Sequence, residues 1–589
     1  MNKFNNIQSL HAQGRYADVL LALDDLKSNN SEDTLDDEKC RALGVLSALA
    51  LALPDLAARQ HINQAKAWQV QGLEEQAHLA FKMAIKRWPD SVMVYLQLAV
   101  FHESNNELDL SEEYLQGALK LEPHNSVVWN SLGNILKKQN NSHGSLLAYR
   151  QALRFNPEMA EAHNNIANGY KEAQQPYEAE WHYCRAIKIR PSFYEACNNF
   201  GVFLHEQGRI DESILLYQKA ITIDPRQVSA RNNLAGSLLN QLRFDEAELL
   251  YQQALELNAD YADARFNWAV SRLTQGDLSP ETWVAYETRY NPLRRVRMTF
   301  PPAYPFPMWN GQSLAGKRIL IWKEQGLGDQ IMFVRFLAKF RALGVKSVVL
   351  VCHRALISIF EGVDGIDVLA TENDAIPWCD YWTYTMSLPG LFETNLNNIP
   401  NNVPYLQPKI QWQHAVRNRM NACTVKGGAI MRVGICWRGS TNYARDHLRS
   451  PGLAPFAALF AIPRVDYFTL LPDSREEFLV AASTSGVDWG KELDSDSPPF
   501  EETAALLCEL DLVITSDTSI AHLAGALGRP TWVVLPYLPY WTWMIKRDNS
   551  PWYPNMRLFR QEAVGEWNDV FQHVVLALTE HLNLESHNA

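Results

Sequence analysis

Proline returns every 34 residues through the first half of the chain, at Pro89, Pro123, Pro157, Pro191 and Pro225, with Ala259 in the sixth place. Ala84, Ala118, Ala152, Ala186, Ala220 and Ala254 keep the same step. Two helices per repeat account for both series. Alanine marks where paired helices approach closely, and proline ends each second helix because it lacks the N–H that a further turn needs. A unit this short cannot bury its own apolar face, so the repeats must stack into an α-solenoid. The spacing predicts such an array over residues 58–290, about six to seven repeats long. Residues 1–57 are helical in pattern, with Gly14-Arg15-Tyr16-Ala17 like the start of a second repeat helix, and are expected to form a degenerate cap.

Trp129, Leu132, Gly133, Tyr149, Ala152 and Pro157 match the tetratricopeptide pattern within one repeat, and the array resembles that family. A solenoid of this kind holds another protein along its first helices. Those helices carry carboxamides in register: Asn165, Asn199, Asn233 and Asn267 share one repeat position, preceded by Ser131 and Gln97, and Asn130, Asn164, Asn198 and Asn232 share its neighbour. Stacked helices lie on the order of 10 Å apart and an extended peptide advances roughly 3.3 Å per residue. One carboxamide therefore meets about every third peptide unit. A carboxamide donates and accepts, so it binds a backbone amide whatever the side chain. The alternative is that these residues only bond between adjacent repeats. The pattern resembles the asparagine ladder of the O-GlcNAc transferases, which implies a protein acceptor held extended on Asn165, Asn199, Asn233 and Asn267.

The repeat stops near Asn291, and residues 291–316, rich in Pro, Arg and aromatics, read as a linker that packs on both sides. Arg318–Trp322 then reads as a buried strand, Gly326–Asp329 as a glycine turn and Gln330–Leu343 as a helix. Further strands are expected at Val348–Cys352, near Ile366–Ala370 and at Tyr381–Thr385, with a helical crossover over Gln411–Gly428. A second set follows at Val433–Trp437, Tyr467–Leu471, Asp511–Thr515 and Thr531–Leu535. Strands alternating with helices build parallel, doubly wound sheets. The expectation is two Rossmann-like lobes, 317–428 and 429–589, with a cleft between them.

Polar loops at strand ends would face that cleft. Glu324-Gln325-Gly326-Leu327-Gly328-Asp329 combines close backbone approach with an acid at a helix start; its plain alternative is a tight turn with an Asp cap. Trp437-Arg438-Gly439-Ser440, running on through Asn442, Asp446, Arg449 and Ser450, offers guanidinium and hydroxyl groups suited to phosphate. Ser516-Asp517-Thr518-Ser519 followed by His522 opens a helix whose free N–H groups and dipole favour an anion. His522 either reaches a ligand there or bonds back to the protein. Asp494-Ser495-Asp496 lacks the apolar strand that a metal-binding DxD needs and reads as loop. A formal net charge of −12 disfavours nucleic acid as the main partner. The 8 Cys show neither a CxxC pair nor metal-ligand spacing with His, which fits free thiols in a reducing compartment. Met1–Asn6 shows no signal pattern, and the longest apolar run, Ala42–Leu53, is too short to span a bilayer, so a cytoplasmic location is expected.

Gly326-Leu327-Gly328-Asp329 together with Ser516–Pro530 (SDTSIAHLAGALGRP) resembles the heptosyltransferase-like, GT9-like family of GT-B glycosyltransferases. The EQGLGDQ turn, the WxG strand end with its later D-x-x-R-S, and Ser550–Pro554 are similar to bacterial chains that join tetratricopeptide repeats to this domain, some of them flagellin glycosyltransferases. The resemblance implies an α-solenoid followed by a GT-B fold, and an inverting, metal-independent protein O-glycosyltransferase without cofactor. It implies Asp329 as catalytic base and Gln325, Gly326, Gly328, Arg438, Ser440, Arg449, Asp517, Thr518, Ser519 and His522 as donor-binding residues. The implied donor is a nucleotide-activated sugar such as a CMP-linked nonulosonic acid, and the implied acceptor is flagellin. Arg438 stands where many members have Lys, which leaves the donor's phosphate group open. Two other readings remain: an inactive repeat scaffold, and a lipopolysaccharide-type glycan transferase.

Overall fold

The structure is a computed structural model that describes Leu10, Val19 and residues 74–294, 303–324, 326–422, 429–439, 446–489 and 491–588. The cap expected over residues 1–57 lies outside these but for two isolated positions, and Gln325 and Ser440 lie outside them altogether. The chain divides into two compact units, residues 1–225 and 226–589.

In the first unit, helices pair repeat by repeat: Leu108–Leu121 follows Val92–Ser104, Ser142–Phe155 follows Ser126–Lys138, and Pro176–Ile189 follows Ala160–Glu172. The repeat alanines Ala118, Ala152, Ala186 and Ala220 are fully buried, as the close approach of helices demands. Tyr149 and Tyr183 sink into the same core, and their hydroxyls donate to Asn134 and Asn168 at 2.8 and 2.6 Å. Gly133 makes room for the first ring, since a Cβ there would stand 2.4 Å from Tyr149. The turn inside each repeat needs a left-handed residue, and the same 34-residue step places Asn106, Asn140, Gln174, Gly208, Leu242 and Gly276 there, all at positive φ. Gln174 is exposed at φ 56°, so its side chain carries strain without packing in return. Gln174→Gly is expected to stabilise the chain by about 1 kcal/mol, seen as a higher urea midpoint at unchanged slope.

The second unit opens with helices Val228–Leu239, Phe244–Leu257, Ala262–Thr274 and Pro280–Tyr286 and continues into two parallel sheets. The first has the order β3-β2-β1-β4, built from β1 (Arg318–Trp322), β2 (Ser347–Val351), β3 (Val368–Ala370) and β4 (Tyr381–Tyr384). The second has the order β6-β5-β7-β8-β9, from β5 (Met431–Cys436), β6 (Val465–Thr469), β7 (Leu512–Ser516), β8 (Thr531–Leu535) and β9 (Met556–Arg560). β9 was not among the expected strands. The helix expected over Gln330–Leu343 is broken: Leu327–Phe333 is α-helical, then a 3-10 turn and a short helix Lys339–Ala342 follow. The crossover helix spans Ile410–Ala422. Of the proline-rich segment, Met308 bridges to Trp382 of β4 and Trp309 N–H donates to the Trp382 carbonyl at 2.7 Å, so this part lies along the edge of the first sheet. Asp494 lies in a loop, accepting from Phe500 and Thr503 backbone N–H groups ahead of helix Glu501–Glu509. No helix among the described residues is long and apolar enough to cross a membrane.

Candidate active site

Each sheet reverses its strand order once, between β1 and β4 in the first and between β5 and β7 in the second. Ligands of open α/β sheets bind outside the carboxyl ends of strands at such points. The loops singled out in the sequence leave β1, β5 and β7 there.

After β1, Glu324 is buried and held from several sides. Arg289 Nε and Nη2 donate to its two oxygens at 2.8 and 2.9 Å, Met386 N–H donates at 3.0 Å, and Gln330 Nε2 reaches its carbonyl at 3.4 Å. Arg289 is 1% exposed, also donates to Glu287 and Ser387, and lies over the rings of Tyr286 and Tyr290 at 4.8 and 5.1 Å. The loop is thereby fixed one turn ahead of Asp329, in the first turn of helix Leu327–Phe333. That helix packs on Ser519–Ala526, the helix that follows β7. Gly328 permits the contact: a Cβ there would meet the His522 ring at 2.7 Å.

This packing brings Asp329 and Asp517 within electrostatic reach. Burial, and then the Asp517 charge, push the Asp329 carboxyl up to about 7; Glu324 adds to the rise, while the Gly326 N–H and Arg449 oppose it. Asp329 keeps part of its surface exposed. Asp517 is 6% exposed and its carboxyl is raised by burial. The buried Trp543 indole nitrogen, which closes no hydrogen bond, faces the Asp517 carboxylate and opposes that rise, as does Arg449. Asp517 is not a helix cap: the N-cap is Thr518, whose hydroxyl faces Thr515 at 3.2 Å, and no side chain caps the helix. Ser519 is the first helical residue and half-buried, leaving the amino end of the helix open to an acceptor. Arg449 is held by Asp446 at 2.9 Å beside Gly439, where a Cβ would stand 2.6 Å from Nη2.

Two of the expected donor-binding residues bond to the protein. Arg438 turns to the end of β6, where Nη2 donates to Asp473 and Ser474 at 2.9 and 3.0 Å; a carboxylate on the next strand end outcompetes the loop for the guanidinium. His522 bonds back to the protein: Nδ1 meets the Tyr553 hydroxyl at 3.0 Å and the ring stacks on Trp543 at 5.1 Å. Burial, with Arg335 and Arg449 nearby, drives its pKa down to about 3, so the imidazole is neutral and orients Tyr553. Trp543, Tyr540 and Arg335 were missed in the sequence. Tyr540 lies near Asp329 and Tyr286, and its phenol is raised by burial and the Asp329 charge. Arg335 donates to the carbonyls of Met332, Pro400 and Trp552. None of the three belongs to a spaced motif, and only their aromatic or cationic type hinted at a role.

The carboxamides divide into a buried and a half-exposed column. Asn130, Asn164, Asn198 and Asn232 are buried, whereas Asn165, Asn199, Asn233 and Asn267 keep exposed surface. Asn165 Nδ2 donates to Asn130 at 3.1 Å and Asn199 Nδ2 to Asn164 at 3.1 Å in the first unit; Asn267 Nδ2 donates to Asn232 at 3.0 Å in the second. Bonding between adjacent repeats is therefore real, and the Asn165 and Asn233 oxygens also accept from Asn164 and Asn232 Nδ2 at 3.2 and 3.3 Å.

These features define a tetratricopeptide-repeat chain that runs into a parallel α/β region. The repeat assignment rests on family models: "TPR repeat" matches residues 201–241, and "Tetratricopeptide repeat" matches 63–126 and 232–279. Protein FlbA of Caulobacter vibrioides is 30% identical over 328 residues, 51% of this chain and 52% of that protein. The chain thus spans about half the length of the curated relative it matches. Among solved structures, YrrB, a TPR protein with an unusual peptide-binding site, is 22% identical with a TM-score of 0.26, covering 31% of this chain and 95% of its own. Pseudomonas aeruginosa PilF is 17% identical with a TM-score of 0.32, covering 36% and 98%.

Proposed function

We propose that the chain is an inverting, metal-independent GT-B protein O-glycosyltransferase, with the repeats recruiting a polypeptide acceptor. The observation that carries this reading is an acid poised at about 7, Asp329, beside Asp517, Arg449 and the amino end of helix Ser519–Ala526. A carboxylate of that pKa accepts a proton from a serine or threonine hydroxyl near neutral pH. The hydroxyl oxygen attacks the anomeric carbon, the bond from that carbon to the nucleotide phosphate breaks, and the hydroxyl proton passes to Asp329. The departing phosphate gains charge, which Arg449 and the helix N–H groups stabilise. A CMP-linked nonulosonic acid is the leading donor and flagellin the leading acceptor.

Intact-mass analysis of flagellins from cells with and without this chain tests the assignment. A sugar-sized mass lost with the chain, and not restored by an Asp329→Ala copy, is the expected result; unchanged flagellin mass removes flagellin as acceptor. In the purified protein, replacing Asn199 and Asn233 together by Ala is expected to weaken acceptor binding about tenfold and leave donor affinity unchanged. Equal acceptor affinity would limit the columns to holding the repeats together.

A further inference from the structure

At the carboxyl end of β9, two donors in adjacent residues lack an acceptor. Arg560 donates from Nε to the Arg547 carbonyl and from Nη2 to the Trp543 carbonyl, both at 2.8 Å; its Nη1 is buried and has no partner. Gln561, 5% exposed, accepts the Tyr537 N–H at 3.1 Å through Oε1. That bond sets the amide's orientation, and the Nε2 it leaves is likewise buried without a partner. Buried donors are matched in most native structures.

Both residues line a cavity of about 690 Å³, whose wall also carries Lys546, Arg547 and Arg557. Asp548, Glu562 and Glu580 reach the same wall, yet among the described residues none forms an ion pair with these cations. Arg547 reaches Asn549 instead, at 2.8 and 3.0 Å. Burial and the neighbouring Arg547 charge lower the Arg560 guanidinium to about 10, and the Asp548 charge offsets this only in part. An occupant that satisfies this wall must bring acceptors and negative charge and no donors of its own at that end. Phosphate does so, and arginine forks match its geometry.

We propose that this cavity binds the phosphate group of a soluble phosphorylated small molecule, at a site separate from Asp329 and Asp517. Arg560 holds the Trp543 carbonyl while the Trp543 indole faces Asp517, so the bound phosphate and the candidate active site share one segment of chain.

The test titrates inorganic pyrophosphate into the full chain at constant ionic strength, read by calorimetry. Saturable binding is expected, weakened about tenfold by Arg547→Gln, which removes a charge-assisted contact. Arg449→Gln is expected to leave that affinity unchanged. Should Arg547→Gln fail to fold by circular dichroism, Gln561→Leu takes its place, with a loss of about threefold to tenfold expected. Absence of saturable binding overturns the proposal. So does binding that survives the Arg547 and Gln561 changes and is lost in Arg449→Gln, which would place the phosphate beside Asp517 and leave the proposed transferase reading intact.

Discussion

Asp329→Asn is expected to abolish the proposed sugar transfer and, in the same protein, to raise stability above neutral pH. On the proposed transferase reading, the catalytic loss follows from removing the proton acceptor and should reach about 10² to 10⁴ in kcat. The gain in stability follows from linkage. The folded carboxyl sits at about 7, whereas its ordinary value is 3.8. Between those values the folded chain holds a proton that the unfolded chain has released. The group's contribution therefore falls as pH rises from about 4 to 7, and above 7 the charged form is carried at full cost. That cost is on the order of 2–4 kcal/mol, and asparagine does not bear it. Thermal unfolding at pH 8 should place Asp329→Asn above the parent by several degrees, with the gap closing towards pH 4. A variant less stable than the parent at pH 8 would make Asp329 a structural partner of its loop and remove it as the base.

Replacing Arg289 by Met should have the largest effect on folding. Its guanidinium is 1% exposed and grips both oxygens of Glu324, whose side chain is 0% exposed. Methionine fills the volume and leaves a buried carboxylate without a counter-charge, which costs about 3–5 kcal/mol. That is a large share of the 5–15 kcal/mol that holds a typical domain folded. Urea unfolding should show the loss in the second unit, and Arg289→Met combined with Glu324→Gln should recover much of it. The proposed transfer should fall in step, because the loop that Glu324 anchors leads into Asp329. Arg289→Lys is not a conservative change here, since an ammonium cannot span both carboxylate oxygens. A single variant as stable as the parent would show that the Glu324 carboxylate does not depend on Arg289.

The parts of this molecule that repeat, or that follow a strand with a fixed spacing, were legible in the sequence. The 34-residue step of Pro and Ala located the paired helices, because ending a helix and packing two together each demand a residue type. Gly326, Gly328 and Asp329 after one apolar run, and Asp517 to His522 after another, located two of the loops that meet. The left-handed turn was less visible, since Gln174 and Leu242 fill it where Gly208 and Gly276 advertise it. The Arg438 partner was not legible because a guanidinium at a strand end suits phosphate and a neighbouring carboxylate equally, and only the fold brings Asp473 to it. Trp543 and Tyr540 come from a loop more than 200 residues beyond Asp329, and nothing local marks which of 18 tryptophans turns towards Asp517.

The proline-rich segment after residue 290 is where a genetic engineer would cut to graft the α/β region onto a foreign recognition module, and the packing forbids it. Trp283 and Tyr286 meet Trp541 edge to face at 5.8 and 5.7 Å, the Ile545 N–H donates to the Thr274 carbonyl, and Arg289 holds Glu324. A fragment starting at residue 317 would expose that aromatic face and strand a buried carboxylate. Domain shuffling, in the laboratory or in descent, must therefore carry the helices from residue 226 onward as part of the α/β module, and exchange repeats only upstream of them.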